Sequence, residues 1–450
     1  MLSGLASAVH AGSVDPADLV AESVRRIEAA RHLNAVIDLW PDDALTEARS
    51  HRRTGPLAGL PVLVKDMARV AGRRTTAGSR LFADAPPDAV DDVVVARLRE
   101  AGAIVLGRTN SPEFGATAYT ANLLHGTTRN PWNPERSPGG SSGGSTAALA
   151  AGLAPLATTS DGGGSVRGPA SMSGLFGYKP TMGAIGRNVL PRWIGFSTQG
   201  ATGTTVADVA LEASITLGPA RGDHLALPRA GVDLAATMPA RVLACRTFRS
   251  GVDPDIESAF DATLEALAAS GVRVERIEPP VDTAVMWAWF TISTAELAQS
   301  LRGVMHRRDE MTDYVRMQVD WAERVTLDDY IAAQRLRHEV SARFDDLLGD
   351  DSVLVVPVMN ARSWPADGPL PIEAGGTRDP MGTMNTADLN FTGHPAFSVP
   401  MGLDDHGVPC GLQVVAPRFR DGLGFGLAAH LERIRPWPLV APGYAPFGLA

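Results

Sequence analysis

The sequence predicts an α/β fold, and two observations support that prediction. Short apolar runs rich in β-branched residues alternate along the whole chain with longer stretches whose apolar residues recur at helical spacing. No internal repeat and no low-complexity linker divides the chain. Of its 450 residues, 44% are hydrophobic and 20% are charged, which suits a large buried core. We therefore expect one α/β domain over residues 1–450.

The first elements follow from local signals. Residues 15–30 carry apolar side chains at helical spacing, with Asp15 at the N-cap position and Pro16 at the first helical position, so we predict that the chain opens with an amphipathic helix there. Residues 59–64 form a short apolar run bounded by Gly and Pro, which is typical of a buried strand that ends at Lys65.

The same signals continue towards the C-terminus. In chain order they predict helix 91–101, strand 103–106, turn 107–110, loop 130–144, helix 145–152, strand 155–159, loop 160–165, strand 241–244, helix 253–270, strand 272–277 and strand 353–356.

Charge and cysteine content exclude several classes of protein. The formal net charge of −9 argues against nucleic-acid binding, and the two cysteines show neither metal-ligand spacing nor a disulfide framework. The N-terminus lacks a basic region followed by a long apolar run, and no stretch is apolar enough to span a membrane. We expect a cytoplasmic protein without a metal site, without a membrane anchor and without a nucleic-acid partner.

The two glycine-rich loops, residues 130–144 and 160–165, admit three interpretations. They are not typical linkers, because both lie directly beside apolar helix or strand segments. They are not phosphate loops, because neither contains GxxxxGK[ST] or a GxGxxG that opens a helix. Consecutive glycines also let backbone amides converge on one point, as in an oxyanion hole. Ser165 stands at the end of the second loop, where a nucleophile would lie.

A serine nucleophile needs a base, and histidine is not indicated. Ser165 is not in a GxSxG motif, and the 10 histidines form no recognisable pattern. His394 lies in a turn beside proline, a place where histidine is usually structural or exposed.

At this point the sequence resembles the amidase signature hydrolases. The resemblance rests on Gly-Gly-Ser-Ser-Gly-Gly-Ser at residues 139–145, Asp-Gly-Gly-Gly-Ser-Val-Arg at 161–167 and Gly-Tyr-Lys-Pro-Thr at 177–181. Similar segments near Lys65 and at residues 397–400 and 411–415 extend it over nearly the whole chain. It implies a large mixed β-sheet covered by α-helices on both sides, with a core motif region at about 59–200 and a variable substrate-pocket region at about 280–385.

The resemblance also implies a role for each matched residue. Ser165 is the expected nucleophile, Ser141 the bridging serine after a cis peptide, and Lys65 the base. The expected oxyanion hole consists of the amides of Gly162, Gly163, Gly164 and Ser165, and the expected supporting residues are Ser142, Asp161 and Arg167. The chain departs from the family at Gly162, where Thr or Ile is common, and we expect that departure to loosen the loop.

The implied chemistry is internally consistent. To act as a base near neutrality, Lys65 must be buried so that its pKa falls well below its ordinary value. It would take a proton from Ser141 while Ser141 takes one from Ser165, whose Oγ attacks the carbonyl carbon. An acyl-enzyme would form and be hydrolysed by water, and the reaction would require no cofactor.

The substrate is less well indicated. Aromatic side chains of the family-variable part, together with others nearby, suggest an apolar or aromatic small molecule; the candidates are Tyr119, Trp193, Trp287 and Phe290. Linear amides, anilides, esters and carbamates (urethanes) all fit such a pocket. Ordinary core packing is the alternative for at least half of these residues.

Two other functions share the motif. One is the glutamine-hydrolysing amidase subunit of a tRNA-dependent amidotransferase complex, which would have the same catalytic residues but a pocket for glutamine. The other is a catalytically silent binding protein on the same fold, which the presence of Lys65, Ser141 and Ser165 disfavours. For the hydrolase we expect a monomer or homodimer.

Overall fold

The computed structural model describes residues 1–228, 231–249, 251–379 and 381–449. Its helices are α1 (Leu2–His10), α2 (Pro16–Ala29), α3 (Pro41–Ser50), α4 (Val93–Glu100), α5 (Gly143–Ala150), α6 (Arg167–Ser173), α7 (Val206–Thr216), α8 (Pro254–Ala269), α9 (Thr283–Ser300), α10 (Asp313–Ala322), α11 (Leu327–Leu348), α12 (Ala387–Thr392) and α13 (Asp421–Ile434).

Its strands are β1 (Val36–Leu39), β2 (Pro61–Lys65), β3 (Ile104–Thr109), β4 (Ala121–Asn122), β5 (Gly126–Thr127), β6 (Leu156–Ala157), β7 (Thr159–Asp161), β8 (Phe176–Lys179), β9 (Thr198–Gly203), β10 (Arg241–Ala244), β11 (Val274–Arg276), β12 (Ser352–Pro357), β13 (Glu373–Ala374), β14 (Thr377–Arg378), β15 (Ala396–Leu403) and β16 (Pro409–Val415).

The larger sheet has eight strands in the order β11-β10-β12-β16-β15-β8-β9-β7. The β11, β10 and β12 strands are parallel to one another, whereas the pairs from β12 to β7 are antiparallel. A smaller sheet of four strands has the order β1-β3-β2-β6. The predicted large mixed sheet is therefore confirmed, with a second sheet beside it.

The larger sheet is buried on both faces. Along β12, Val353 and Val355 belong to one hydrophobic core, while Leu354 and Val356 belong to another. Successive side chains of a strand point to opposite faces, so this alternation places a core on each side. Helices α7, α8 and α13 contribute to the first core, and α9, α10 and α11 contribute to the second. The predicted cover of helices on both sides is confirmed.

One segment of chain belongs to both sheets. Strand β6 pairs with β2 in the smaller sheet, and after Thr158 the chain continues as β7, which pairs with β9 in the larger sheet. At the junction, Thr158 N donates to Leu63 O at 2.9 Å, and Lys65 N donates to Thr158 Oγ1 at 2.9 Å. This segment brings the end of β2 close to the glycine loop that follows β7.

Most predicted elements are present with small shifts at their ends. The helix predicted at 15–30 is α2, and the Asp15 side chain accepts from Ala17 N as its N-cap. The strand that delivers Lys65 is β2, and the helices predicted at 91–101, 145–152 and 253–270 are α4, α5 and α8.

Two expectations were wrong. The chain does not open with the helix at residue 15, because α1 precedes it and buries Leu2, Ala6 and Val9. The turn predicted at 107–110 is mostly strand, because β3 continues to Thr109 between β1 and β2. Gly107 serves there as a close-contact position: a Cβ on it would lie 2.4 Å from Asp38 O of the neighbouring strand.

Phe397 lies at the centre of an aromatic group beneath α13, and its removal tests that core. Its ring centroid is 4.9 Å from that of Tyr178 and 5.1 Å from that of Phe425. We expect Phe397→Ala to lower the free energy of unfolding by about 3–5 kcal/mol, because it leaves a cavity in a close-packed layer. Urea unfolding measures the loss. Leu327→Ala is the control, since Leu327 is 75% exposed; equal midpoints for both variants would contradict the assignment.

Candidate active site

Lys65 is the last residue of β2, and its side chain is buried. Only 1% of it is exposed, in a strand whose other residues are also buried. Its Nζ atom lies 2.8 Å from Ser141 Oγ, 2.9 Å from Ser142 Oγ and 3.0 Å from Ser160 Oγ. The amine is therefore surrounded by hydroxyl groups and forms no ion pair within the described residues.

Burial determines the charge state of this amine. Removal from water disfavours the ammonium form and lowers the pKa of Lys65 to about 7, while the nearby Asp161 carboxylate acts in the opposite direction. At neutral pH a substantial fraction of Lys65 is therefore uncharged. An uncharged amine has a lone pair that accepts a proton, and the hydroxyls around it are the groups that can supply one.

Ser141 precedes helix α5 and follows a cis peptide between Gly140 and Ser141, as the resemblance implies. The next residue, Ser142, accepts from Lys65 and donates its own hydroxyl proton to Ser160 O at 3.2 Å. Because Ser142 uses its proton in this way, Ser141 and Ser160 are the neighbours of Lys65 whose hydroxyl protons remain available.

The loop after β7 is held by a buried ion pair. Arg167 donates to both carboxylate oxygens of Asp161, at 3.0 Å through Nε and at 2.9 Å through an Nη atom. Asp161 also accepts from the amides of Gly164 and Val166 at 2.7 and 3.1 Å. Burial alone would raise the pKa of Asp161, but the charge and hydrogen bonds of Arg167 outweigh it and hold that pKa well below its usual range.

Arg167 extends this network to the C-terminal part of the chain. Its guanidinium donates to Thr386 O at 2.8 Å, to Gln413 Oε1 at 2.6 Å and to Asn390 Oδ1 at 2.6 Å. Asn390 in turn donates to Asp161 Oδ1 at 2.9 Å. A fully hydrogen-bonded guanidinium of this kind fixes the loop against the α12 helix and β16.

The amides of the glycine loop are not equivalent. The Gly164 amide is already used by Asp161, whereas we find no hydrogen bond from the amides of Gly162, Gly163 and Ser165 to the described residues. The Ser165 side chain is 9% exposed and lines a cavity, and its hydroxyl has no hydrogen-bond partner in the described part of the chain. Three amides and one hydroxyl of this short loop are thus without a partner among the described residues, and two of the residues that bear them, Gly162 and Ser165, line the cavity.

Aromatic and polar side chains leave no room for larger residues in this loop. A Cβ on Gly162 would lie 2.5 Å from Trp193, and one on Gly163 would lie 2.5 Å from Trp289. Gly164 has φ +130° and faces Thr386, whose Oγ1 donates to Gly163 O at 2.7 Å. Trp289 Nε1 donates to Gly162 O at 3.1 Å. The loosening expected from Gly162 is therefore not found, because Trp193 fills the space that a side chain would take.

The cavity beside Ser165 has a volume of about 470 Å³, within the usual range for small-molecule sites. Its lining includes Ser141, Ser160, Asp161, Gly162 and Ser165 together with apolar and charged side chains; among these are Met67, Phe82, Phe114, Leu190, Trp193, Arg69, Arg187 and Arg192.

Of the four aromatic residues predicted to bind substrate, the structure places Trp193 in this cavity. Tyr119, Trp287 and Phe290 are not among the described residues that line it. Trp287 stacks on Trp321 with centroids 5.5 Å apart, and both rings are more than a third exposed. Phe290 packs beside Trp321, at 5.7 Å between centroids. Tyr119 packs edge to face on Tyr314.

The sequence assigned no role to several residues that hold the site. Ser160 contacts Lys65, Trp289 holds the Gly162 carbonyl, and Asn390 and Gln413 bind Arg167. The signals were weak: a tryptophan in an apolar helix resembles a core residue, and isolated amide side chains have no pattern of their own. Within the described residues, no group of three or more His, Cys, Asp or Glu could hold a metal ion, and no helix is long and apolar enough to cross a membrane.

Comparison with known proteins decides the family. The amidase family model matches residues 18–423. The chain is a member of the amidase signature family. It is 32% identical to the acylamidase of Rhodococcus erythropolis over 455 aligned residues, which cover 96% of this chain and 95% of the relative. It is also 32% identical to a glutamyl-tRNA(Gln) amidotransferase subunit of Deinococcus radiodurans, covering 97% of this chain and 98% of that relative.

Solved structures agree with this membership. A bacterial aryl acylamidase of the amidase signature family superposes with a TM-score of 0.89 at 27% identity, covering 96% of this chain and 95% of that one. The fold is therefore the amidase signature fold, and the chain is an amidase signature hydrolase of the class that cleaves C–N bonds.

The Asp161–Arg167 pair can be tested by removing one partner. We expect Arg167→Met to lower the free energy of unfolding by about 3–5 kcal/mol, because it leaves the Asp161 carboxylate buried without its counter-ion. Chemical denaturation measures the loss. Arg25→Met is the control, since Arg25 pairs with Glu22 on the surface; a stable Arg167→Met protein would show that the pair does not hold the loop.

The packing of Trp193 against Gly162 predicts a coupling between the two positions. Gly162→Ala should destabilise the protein by about 1–3 kcal/mol through overpacking, and the loss should shrink when Trp193→Leu makes space. A double-mutant cycle of unfolding free energies measures the coupling. Gly4→Ala serves as control because a Cβ there meets no atom within 4 Å; additive losses at positions 162 and 193 would refute the contact.

Proposed function

We propose that this protein is a serine hydrolase that cleaves amide or related acyl bonds of apolar or aromatic small molecules through an acyl-enzyme. Ser165 is the nucleophile, Ser141 the bridging residue and Lys65 the base. The observation that supports this best is a buried amine 2.8 Å from Ser141 Oγ beside a cavity that is also lined by Ser165.

The proposed reaction begins with proton transfer. Uncharged Lys65 accepts the proton of Ser141, and Ser141 accepts the proton of Ser165 as Ser165 Oγ attacks the substrate carbonyl carbon. Lys65 Nζ and Ser141 Oγ form a hydrogen bond in the structure. In the proposal, the hydrogen bond between Ser141 and Ser165 forms when substrate is bound, since catalytic hydrogen bonds often tighten only in the complex. The proton returns along the same path to the leaving nitrogen.

The oxyanion is stabilised by backbone amides. We assign this role to Gly162, Gly163 and Ser165, because their N–H groups have no acceptor among the described residues, whereas the Gly164 amide donates to Asp161. In this proposal Gly164 contributes through its φ of +130°, which turns the chain so that Ser165 faces the cavity. Asp161, Arg167 and Ser142 act as supports that hold the loop and the amine in place.

The cavity favours small substrates with apolar parts. Phe82, Phe114, Leu190 and Trp193 contribute to its lining. The names of two relatives, an acylamidase and an aryl acylamidase, refer to amide substrates of this kind. Linear amides and anilides are therefore our main proposal, and esters and carbamates, including urethanes, follow from the same attack geometry.

Hydrolysis of glutamine for a tRNA-dependent amidotransferase is the second candidate. It is favoured by the amidotransferase relative that aligns over 97% of this chain. The aromatic and aliphatic part of the lining, which includes Phe82, Phe114, Leu190 and Trp193, counts against it, because the side chain of glutamine is small and polar and leaves these apolar surfaces uncovered. Glutaminase activity, and partner subunits that co-purify with the protein, would favour this candidate over the first.

Loss of the proposed nucleophile or base should abolish turnover. We expect Ser165→Ala and Lys65→Met to lower kcat/KM by about 10³-fold or more on a panel of an anilide, a primary amide, a 4-nitrophenyl ester, an aryl carbamate and glutamine. The preferred substrate identifies the class. Ser160→Ala is the matched control, since Ser160 also contacts Lys65 but has no assigned step; full activity in Ser165→Ala would refute the mechanism.

The lowered pKa of Lys65 predicts the pH dependence of the wild-type enzyme. Because the base must be uncharged, kcat/KM should rise with pH and level off above a midpoint near the Lys65 pKa of about 7. Initial rates on the preferred substrate, recorded over a range of pH, measure this rise of kcat/KM and its midpoint. A midpoint close to the ordinary lysine value, or a flat profile, would show that Lys65 is not the base.

A further inference from the structure

Arg192 lies on the cavity wall beside the proposed catalytic residues. Its guanidinium is 4.7 Å from the ring centroid of Phe114 and 5.7 Å from that of Phe82. The adjacent residue Trp193 packs on Gly162 of the oxyanion loop. The two consecutive residues therefore place an aromatic ring on the loop that bears Ser165 and a cation against Phe82 and Phe114.

The positive charge of Arg192 has no carboxylate within ion-pair distance among the described residues, and the charge of Asp66 acts on it only from farther away. Within that part of the chain, Arg192 forms no ion pair and no hydrogen bond, and its side chain is half-buried in the cavity lining. Two other arginines of the lining are paired: Arg187 lies 3.3 Å from Asp223, and Arg69 lies 3.5 Å from Asp88. Arg192 can therefore direct its N–H donors to a ligand.

Its charge is retained despite its surroundings. Burial, together with the nearby positive charge of Arg69, lowers the pKa of Arg192 to about 10, so the guanidinium stays protonated at neutral pH. Its aromatic neighbours Phe82 and Phe114 also shield part of the guanidinium from water. A guanidinium that is charged, poorly hydrated and unpaired binds a planar carboxylate strongly, often through two parallel hydrogen bonds.

The side of the cavity on which Arg192 lies indicates which part of a substrate it contacts. Phe114 precedes Gly115, where a Cβ would lie 3.1 Å from Ser141 Oγ. In the proposed mechanism Ser141 returns the proton to the leaving nitrogen. On this basis we place a group held on the Phe114 wall on the leaving amine, with the acyl carbonyl facing the amides of the glycine loop.

We infer that Arg192 recognises a carboxylate on the leaving amine, so that the preferred substrates are N-acylated aminocarboxylic acids. This inference rests on the proposed function and makes it more specific. The acyl group and the body of the amine lie against the apolar side chains of the cavity, and one negative charge at the far end of the amine pairs with Arg192. Hydrolysis then releases a carboxylic acid and a free aminocarboxylic acid.

Matched substrates test the inference. The pair 3-acetamidobenzoate and 3-acetamidobenzamide differs only by a carboxylate or a neutral amide on the leaving amine. The pair glutaryl anilide and glutaramoyl anilide places the same difference on the acyl part. We expect the wild-type enzyme to prefer 3-acetamidobenzoate over its neutral partner by about tenfold or more in kcat/KM, the scale of one charge-assisted hydrogen bond. The glutaryl pair should show no such preference.

Variants show whether Arg192 causes the preference. In Arg192→Gln the ratio of kcat/KM within the first pair should fall to about one, and in Arg192→Lys part of it should return. Arg335→Gln, which removes an exposed arginine outside the cavity, should keep the wild-type ratio. A preference that is absent from the wild type, unchanged in Arg192→Gln or confined to the glutaryl pair would overturn the inference.

Binding separates this inference from the proposed function. Calorimetric titration of Ser165→Ala with 3-acetamidobenzoate and 3-acetamidobenzamide should show tighter binding of the carboxylate, and the difference should disappear in Ser165→Ala combined with Arg192→Gln. If the wild type hydrolyses none of the four compounds but the binding difference depends on Arg192, the proposed function fails for such amides and only carboxylate recognition by Arg192 stands. If hydrolysis occurs without any such difference, the inference fails and the proposed function stands.

Discussion

The Asp161–Arg167 ion pair is the interaction on which the glycine loop depends. Both side chains are fully buried, and a charge in that position is tolerated only when its counter-ion and hydrogen bonds are complete. Here they are complete, because Arg167 also binds Thr386, Asn390 and Gln413 from a distant part of the chain. The position of Ser165 is therefore determined by residues more than 200 positions away in sequence as much as by its own loop.

The sequence was sufficient to predict the parts of the fold and site that short motifs encode. Apolar periodicity located α2, α4, α8 and the strand that ends at Lys65. The glycine and serine motifs identified Ser141, Ser142, Asp161 and Ser165, which the structure brings together around one amine and one cavity. These residues could be found because each stands in a run whose composition excludes an ordinary helix or strand.

The parts that the sequence did not predict depend on contacts between distant segments. The departure at Gly162 indicated a loose loop, but Trp193 and Trp289 pack against Gly162 and Gly163 from other parts of the chain. The turn expected at Gly107 is a strand because β1 lies beside it. Trp193 and Trp287 were expected to share a pocket, yet Trp287 faces the surface while Trp193 lines the cavity. Local composition does not specify which segment packs on which.

The segment from Leu156 to Asp161 pairs with both sheets, and this limits how the enzyme can move. Rotation of one sheet against the other would break the ladder on one side of Thr158 and separate Lys65 from Ser160. Lys65, the serines around it and the glycine loop are therefore expected to behave as one cooperative unit. The chain between β8 and β9, by contrast, bears Arg192 and Trp193 of the cavity lining and belongs to neither sheet, so a shift of this wall would leave both strand ladders intact.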